Sequence, residues 1–329
     1  MSTVLVTGAT GNVGHPIAAR LAREGHRVRA LVRSPERARA LLPAEVEIVG
    51  GDVTDATSVT SAIAGCETVY HAAGLPEQWR LDNADFTRVN VEGTRNLVDA
   101  ALAAGVVRFL YTSTIDVFAW TPGAPFDESV IDPDPRPTHY ERSKQAADRL
   151  VSDAVDRGLP GVFLHPSAVY GPAPALTPGL NDFLVRLAQR KVPLLLPGGM
   201  PIVYGEDVAD GHLRAAATAP VGGRYILSTT YHTLADIAGA VARHVPRAKV
   251  PRIMPIGMAR AASVAGEAVA KLTKRAPLIP RGTLHFLESH PVPLATRAQE
   301  DLGWAPISFE DGVERALAHF QREGWISAG

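Results

Sequence analysis

Apolar and polar positions along the first half of the chain alternate between two periods. Short apolar runs stand at Val4-Leu5-Val6, Arg27–Val32, Val46–Val49, Thr68–Tyr70, Val107–Tyr111 and Val162–Leu164. Between them, apolar residues recur at helical spacing, which predicts helices over 13–21, 35–42, 56–64, 86–104 and 139–156. Strand-length runs alternating with helices of that length imply βαβ units and a parallel sheet. Right-handed crossovers then place helices on both faces of a doubly wound sheet. From Pro172 the pattern changes, as Pro172, Pro174, Pro178, Pro193, Pro197 and Pro201 break the chain into short pieces. Helices are predicted there over 181–190, 206–218, 234–244, 258–274 and 309–321. The fold class expected is α/β: a dinucleotide-binding domain over 1–170, to which 201–230 returns, and a smaller substrate-binding α/β subdomain over 171–329.

Composition narrows the function classes. A formal net charge of -1 over 329 residues gives no suggestion of nucleic acid or an anionic surface as main partner. Cys66 is the single cysteine, which excludes a disulfide framework or a thiolate metal cluster. The longest apolar stretch, 256–272, is interrupted by Arg260, Glu267 and Lys271, so no integral membrane segment is expected. The first residues read directly as a strand, with no basic leader, and the expected compartment is the cytoplasm. His71, His139, His165, His212, His285 and His290 lie in no metal-ligand spacing, and no metal site is expected.

The first strand runs into the turn Gly8-Ala9-Thr10-Gly11-Asn12-Val13-Gly14 and then into a helix. Strand, glycine turn and helix form the context of a Rossmann-type phosphate site. Glycines let the backbone approach a pyrophosphate, and the helix supplies free N–H groups and the positive end of its dipole. Gly8, Thr10, Gly11, Asn12, Val13 and Gly14 are therefore candidate cofactor residues. An acid at the end of the second strand would bind the ribose hydroxyls of NAD. Arg33 stands there instead, with Arg37 one turn on, and a guanidinium suits a 2′-phosphate. NADP(H) is favoured over NAD(H) on this residue, although a strand-end arginine also serves simply as solvated charge. Asp52-Val53 follows the third strand, where Asp52 would contact adenine or cap the next helix.

Two further segments carry chemistry. Tyr140 and Lys144 are one helical turn apart and share a face. An ammonium beside a phenol favours the phenolate and lowers its pKa, which suits general acid/base work. Thr112-Ser113-Thr114 closes the fifth strand, and open α/β sheets bind ligands beyond such ends.

Taken together, Thr7-Gly8-x-x-Gly11-x-x-Gly14, Thr112-Ser113-Thr114 and Tyr140-x-x-x-Lys144 resemble the extended short-chain dehydrogenase/reductases of the NAD-dependent epimerase/dehydratase superfamily. His71-Ala72-Ala73-Gly74, Asn90-Val91-Glu92-Gly93-Thr94, Pro166-Ser167-Ala168-Val169-Tyr170-Gly171-Pro172 and Asp207-Val208-Ala209 agree in order with that family. The resemblance implies catalytic roles for Thr114, Tyr140 and Lys144, with Ser113 as the fallback for Thr114. It also implies cofactor contacts from His71, Ala72, Ala73, Thr112, Tyr140, Lys144, Pro166, Ser167 and Val169. Two positions depart from the pattern: His165 precedes Pro166 where arginine is frequent, and Ala119-Trp120 follows Phe118 where glycine is usual.

Within the family the second half resembles the 3β-hydroxysteroid dehydrogenase and dihydroflavonol reductase-like branch, on Gly205–Leu213 and the 258–280 stretch. That implies an NAD(P)-dependent oxidoreductase acting on a ketone or secondary alcohol of a fairly apolar molecule, such as a steroid, flavonoid or β-keto acid. Trp79, Phe118, Trp120, Tyr170, Tyr204 and Phe286 are candidate pocket aromatics, although each is of a type that more often serves as core or loop packing. The rival readings are a sugar-nucleotide epimerase or dehydratase, and a regulator that senses NADP without turnover. Relatives further imply a homodimer through helices 86–104 and 139–156, and the 258–274 helix reads as a pocket lid or plain packing in preference to a weak membrane-surface contact, given the mixed charges on its face.

Overall fold

A computed structural model describes residues 2–327. Ten strands organise it: β1 (Thr3–Thr7), β2 (Arg27–Val32), β3 (Glu47–Gly50), β4 (Thr68–His71), β5 (Arg108–Thr112), β6 (Gly161–Pro166), β7 (Ala168–Tyr170), β8 (Gly199–Tyr204), β9 (Arg224–Leu227) and β10 (Tyr231–Thr233). Seven of these form one parallel sheet in the order β9-β6-β5-β4-β1-β2-β3. The order reverses between β1 and β4, and doubly wound sheets bind ligands in the crevice opened there.

The helices are α1 (Gly14–Arg23), α2 (Pro35–Leu41), α3 (Ala56–Ile63), α4 (Gly93–Ala104), α5 (His139–Asp156), α6 (Leu180–Ala188), α7 (Gly205–Thr218), α8 (Leu234–His244), α9 (Ile256–Thr273), α10 (Arg281–Ser289), α11 (Thr296–Leu302) and α12 (Phe309–Arg322). A helical turn at Ala84–Phe86 and a π-helical stretch at Thr87–Glu92 run into α4 without a break.

Both faces of the sheet are covered, which is why its strands read as near-continuous apolar runs. Val4 and Val6 point to one face with Ile17 and Leu21 of α1 and Val208 of α7. Leu5 points to the other with Val59 of α3, Leu97 of α4 and Val151 of α5. A third core gathers Leu184, Ile202, Ile237, Val313 and Phe320 beneath a small sheet of β10, β8 and β7. Within 201–230, β9 joins the main sheet, whereas β8 pairs in the small one.

The apolar periodicity does not announce α10 or α11. Both are short, and α10 begins directly after Pro280 in a stretch dense in proline and charge. Their stability comes from docking on α9 and on α7 rather than from propensity.

Candidate active site

The phosphate turn is shaped by close approach. Gly8 has φ +71°, and a Cβ there would lie 2.7 Å from the Ala72–Ala73 backbone. A Cβ on Gly14 would collide with the Gly8 carbonyl, whereas one on Gly11 would meet only the Gly8 oxygen at 3.3 Å. Gly8 and Gly14 are therefore required by the fold, and the outer side of Gly11 stays open. The first turn of α1 has no side-chain cap and no acid, so its N–H groups and dipole face outward. No side-chain hydrogen bond engages Thr10 or Asn12 among the described residues. This cradle fits a dinucleotide pyrophosphate. Arg33 is exposed at the end of β2, and no hydrogen bond or ion pair engages it among the described residues.

Asp52 caps no helix. Its Oδ1 accepts from Thr54 N and Oγ1, both at 2.9 Å, and Asp55 is the N-cap of α3. Val53 is buried against Gly93, and its carbonyl accepts from Asn96.

His71 is structural in this arrangement. The Thr94 hydroxyl donates to the Asn90 carbonyl, so His71 Nε2–H donates to Thr94 Oγ1 at 2.9 Å. Nδ1 then accepts from Thr7 at 2.8 Å, and Thr7 accepts from Ala73 N. Burial, followed by the nearby Lys144 charge, pushes the imidazole down to about 3 and keeps it neutral. The chain of bonds ties the end of β1 to the end of β4 at the crevice. Asn90 extends it, bonding Leu75 and the Ser143 hydroxyl, which in turn donates to Tyr140 O.

A Thr138–Glu141 capping box starts α5 and sets the direction in which Tyr140 and Lys144 project. Lys144 Nζ donates to Thr112 O at 2.8 Å and Tyr111 Oη at 3.2 Å. Burial brings its ammonium down to about 8. The Thr112 hydroxyl belongs to His212, whose Nδ1–H donates to Val208 O and whose Nε2 accepts from Thr112 at 2.9 Å. Thr114 Oγ1 bonds Asp116 Oδ2 at 2.7 Å and also favours the Tyr140 phenolate.

The expected depression of the Tyr140 pKa by Lys144 is not what the geometry produces. Burial raises the phenol, Asp116, Glu77 and Glu141 raise it further, and the Thr114 hydrogen bond opposes them. Glu77 and Asp116 are themselves pushed up, to about 7 and about 6, by burial. Burial also acts on Glu141, but His285 and the Thr138 cap hold it below its ordinary value. Periodicity offers no signal for these acids, which come from a loop, a single 3-10 turn at Ile115–Val117 and a helix start.

A carboxyl held above its ordinary value stays protonated in the fold after the unfolded chain has ionised. The stability contributed by Glu77 is therefore complete below 4.5 and is lost as pH climbs through about 7. Glu77→Gln abolishes that titration. Between about pH 5 and about pH 8, the melting temperature of the unaltered chain is expected to fall relative to the variant. The buried His71, His165 and His212 titrate alike in both proteins and cancel in the difference. Parallel melting curves across that range would contradict this electrostatic picture.

Of the six candidate pocket aromatics, Phe286 lies beside the phenol, with ring centroids 6.3 Å apart. Phe118, Tyr170 and Tyr204 are core residues, buried among their neighbours. Trp120 stacks on Phe126 and under Arg136. Pro166 ends β6, the Ser167 hydroxyl accepts from Ser228, and Val169 packs where α7 begins, beside Asn12 O.

Beneath Thr114 lies a network the motifs did not reveal. Asp148, one turn beyond Lys144, accepts from Ser113 Oγ at 2.6 Å and from Arg224 Nη1 at 2.7 Å. His165 Nδ1–H donates to Thr114 O at 3.1 Å, and burial pushes its pKa down to about 3. The departure from arginine at this position is thus absorbed by a neutral imidazole, while Arg224 supplies the positive charge from β9.

The chain is similar to known proteins over nearly its whole length. Residues 4–227 match the model of the NAD dependent epimerase/dehydratase family. A Synechocystis sp. protein named "Putative dihydroflavonol 4-reductase" is 28% identical over 331 residues, covering 98% of this chain and 95% of its own. Sterol demethylase protein B of Methylococcus capsulatus is 27% identical over 327 residues, covering 98% of this chain and 100% of its own. The crystal structure of gox2253 superposes with a TM-score of 0.85 at 29% identity, covering 99% of this chain and 100% of that one.

Proposed function

The chain belongs to the NAD dependent epimerase/dehydratase family, and from that premise we propose that it reduces the ketone of a fairly apolar small molecule with NADPH. It is an enzyme of the class that acts on hydroxyl and keto groups with a nicotinamide cofactor. One observation carries the reading: Tyr140 and Lys144 on one face of α5 meet the Thr112–Thr114 strand end beside the switch-point crevice.

When bound, the nicotinamide would supply the hydride. Gly8, Thr10, Gly11, Asn12, Val13 and Gly14 would hold its pyrophosphate, and Lys144 the ribose on the reactive side. Ala72, Ala73, Pro166, Ser167 and Val169 would line the path between. Tyr140 donates a proton to the developing alkoxide, and Thr114 hydrogen-bonds the same oxygen. In the structure Thr114 Oγ1 donates to Asp116 Oδ2 at 2.7 Å, and that hydroxyl would turn its proton to the substrate oxygen when one is bound. The phenol, held high by burial and the neighbouring acids, is protonated at neutral pH, as a donor to the alkoxide must be. The names of two relatives, a dihydroflavonol reductase and a sterol demethylase protein, support an apolar substrate.

An NADPH-oxidation screen across steroid, flavonoid, β-keto acid and nucleotide-sugar panels tests the reading. Stoichiometric NADPH loss with an apolar ketone is expected. Turnover of nucleotide sugars alone, without net cofactor loss, would replace it with epimerisation. Arg33 is the proposed 2′-phosphate ligand, and a charge-assisted contact of this kind contributes about 1.5–3 kcal/mol. Arg33→Ala is therefore expected to raise the KM for NADPH roughly 10- to 100-fold and to leave that for NADH nearly unchanged. Equal effects on both cofactors would remove Arg33 from the site. A homodimer through α4 and α5 and a cytoplasmic location belong to the same proposal.

A further inference from the structure

Helix α9 is built inside out. Its buried stripe is Ala259, Ser263 and Ala270, with Gly266 and Glu267 half-buried. Its larger apolar residues, Met258, Val264, Val269 and Leu272, are exposed. At about 100° per residue, these four and the alanines between them sweep an arc of about 160° without a charged side chain. A surface helix ordinarily turns such a face inward. Here Leu272 is 85% exposed, and Leu278, just beyond the helix, is 97% exposed.

The surroundings are cationic. Arg260 and Lys271 edge the arc, Lys274 and Arg275 follow it, and Arg247, Lys249 and Arg252 precede it. Over 247–275 the one acid is Glu267, and it is occupied, accepting from Arg281 N at 2.9 Å. This concentration of positive charge stands out in a chain of formal net charge -1. Among the described residues, no helix is long and apolar enough to cross a membrane. An apolar face flanked by cations on a helix that does not span is the pattern of one lying in the headgroup region of a bilayer.

We propose that α9 docks the enzyme peripherally on an anionic lipid surface. Met258, Val264, Val269, Leu272 and Leu278 enter the boundary between headgroups and acyl chains, and the flanking lysines and arginines meet the anionic headgroups. The charge complementarity favours this occupant over a second copy, whose α9 would bring the same cations. Docking also has a route to the chemistry. Arg260 of α9 bonds Glu288 of α10 at 2.8 Å, and α10 lays Phe286 against Tyr140. An apolar ketone dissolved in the bilayer would enter beside α10, a step that rests on the proposed substrate class, whereas docking itself does not.

The test is co-sedimentation of the full chain with vesicles of phosphatidylcholine, alone or mixed with phosphatidylglycerol. Binding to the mixed vesicles at low salt is expected, weakening as salt rises. Each basic residue near the surface is worth roughly fivefold, so K271A/K274A/R275A is expected to lose roughly 100-fold in partitioning. Val269→Glu with Leu272→Glu alters exposed positions and is expected to abolish binding with the melting temperature unchanged. Tyr140→Phe is expected to bind as the unaltered chain does, which separates failure of docking from failure of the chemistry. No binding to anionic vesicles, or binding that survives the glutamate pair or the cationic triple variant, would overturn the proposal. So would light scattering that finds a dimer split by the glutamate pair without vesicle binding.

Discussion

Tyr140→Phe is expected to lower kcat for the best ketone substrate by about 10²–10⁴-fold, the contribution of a positioned general acid. The substitution removes one hydroxyl. The ring keeps its edge contacts with Phe86 and Phe286, both at 6.3 Å, and the capping box that starts α5 does not involve it. Folding and cofactor affinity should therefore be unchanged, and the loss should fall on kcat rather than KM. Single-turnover kinetics with saturating NADPH, beside a direct binding titration of the cofactor, make the distinction. Unchanged turnover would sink the mechanism, because it would mean that another acid, such as Asp116 or Glu77, delivers the proton.

The second large effect is on stability. Arg224→Met is expected to destabilise the fold by about 3–5 kcal/mol, since it leaves a charge buried without its partner. The Asp148 side chain is 1% exposed, and its oxygens are shared between Arg224 and Ser113. His165 sits 4.0 Å away, neutral, and does not replace the lost cation. Arg224 also lies over the Phe163 ring at 3.9 Å, a contact that methionine retains in part. Asp148→Leu combined with Arg224→Met should recover most of the loss, because an apolar pair of similar volume leaves no buried charge. Urea midpoints for the two single variants and the double variant give the coupling directly. A loss below about 1 kcal/mol for Arg224→Met would mean that water or rearrangement satisfies Asp148.

How far the site was legible depended on how local its signals are. The glycine turn, the Tyr140/Lys144 pair and the Thr112–Thr114 strand end are each contiguous or one helical turn long. Strand–turn–helix alternation places them in order along the sheet. Which aromatics line a pocket was not legible, for a complementary reason. Phe118, Tyr170 and Tyr204 carry the residue type of a pocket lining, but burial decides between lining and core, and burial is a property of three packed layers. Asp52 was open between two roles until the backbone showed Asp55 in the cap.

Electrostatics was the least legible layer. Lys144 one turn from Tyr140 predicted a lowered phenol pKa, yet Lys144 is aimed at Thr112 O and Tyr111. Glu77, Asp116 and Glu141, from three separate elements, set the opposite direction.

The sequence by itself determined the alternation of strand and helix, the phosphate turn, the arginine after β2 and the placing of a phenol and an ammonium on one face of a helix. Each follows from residues within a few positions of one another, where backbone geometry alone dictates who is neighbour to whom. Only the tertiary structure decided which acids surround Tyr140, which cation answers Asp148, and that α9 turns its apolar face outward. Those outcomes depend on contacts between elements far apart in the chain, and a hydrophobic period reveals that a face exists without saying what packs against it.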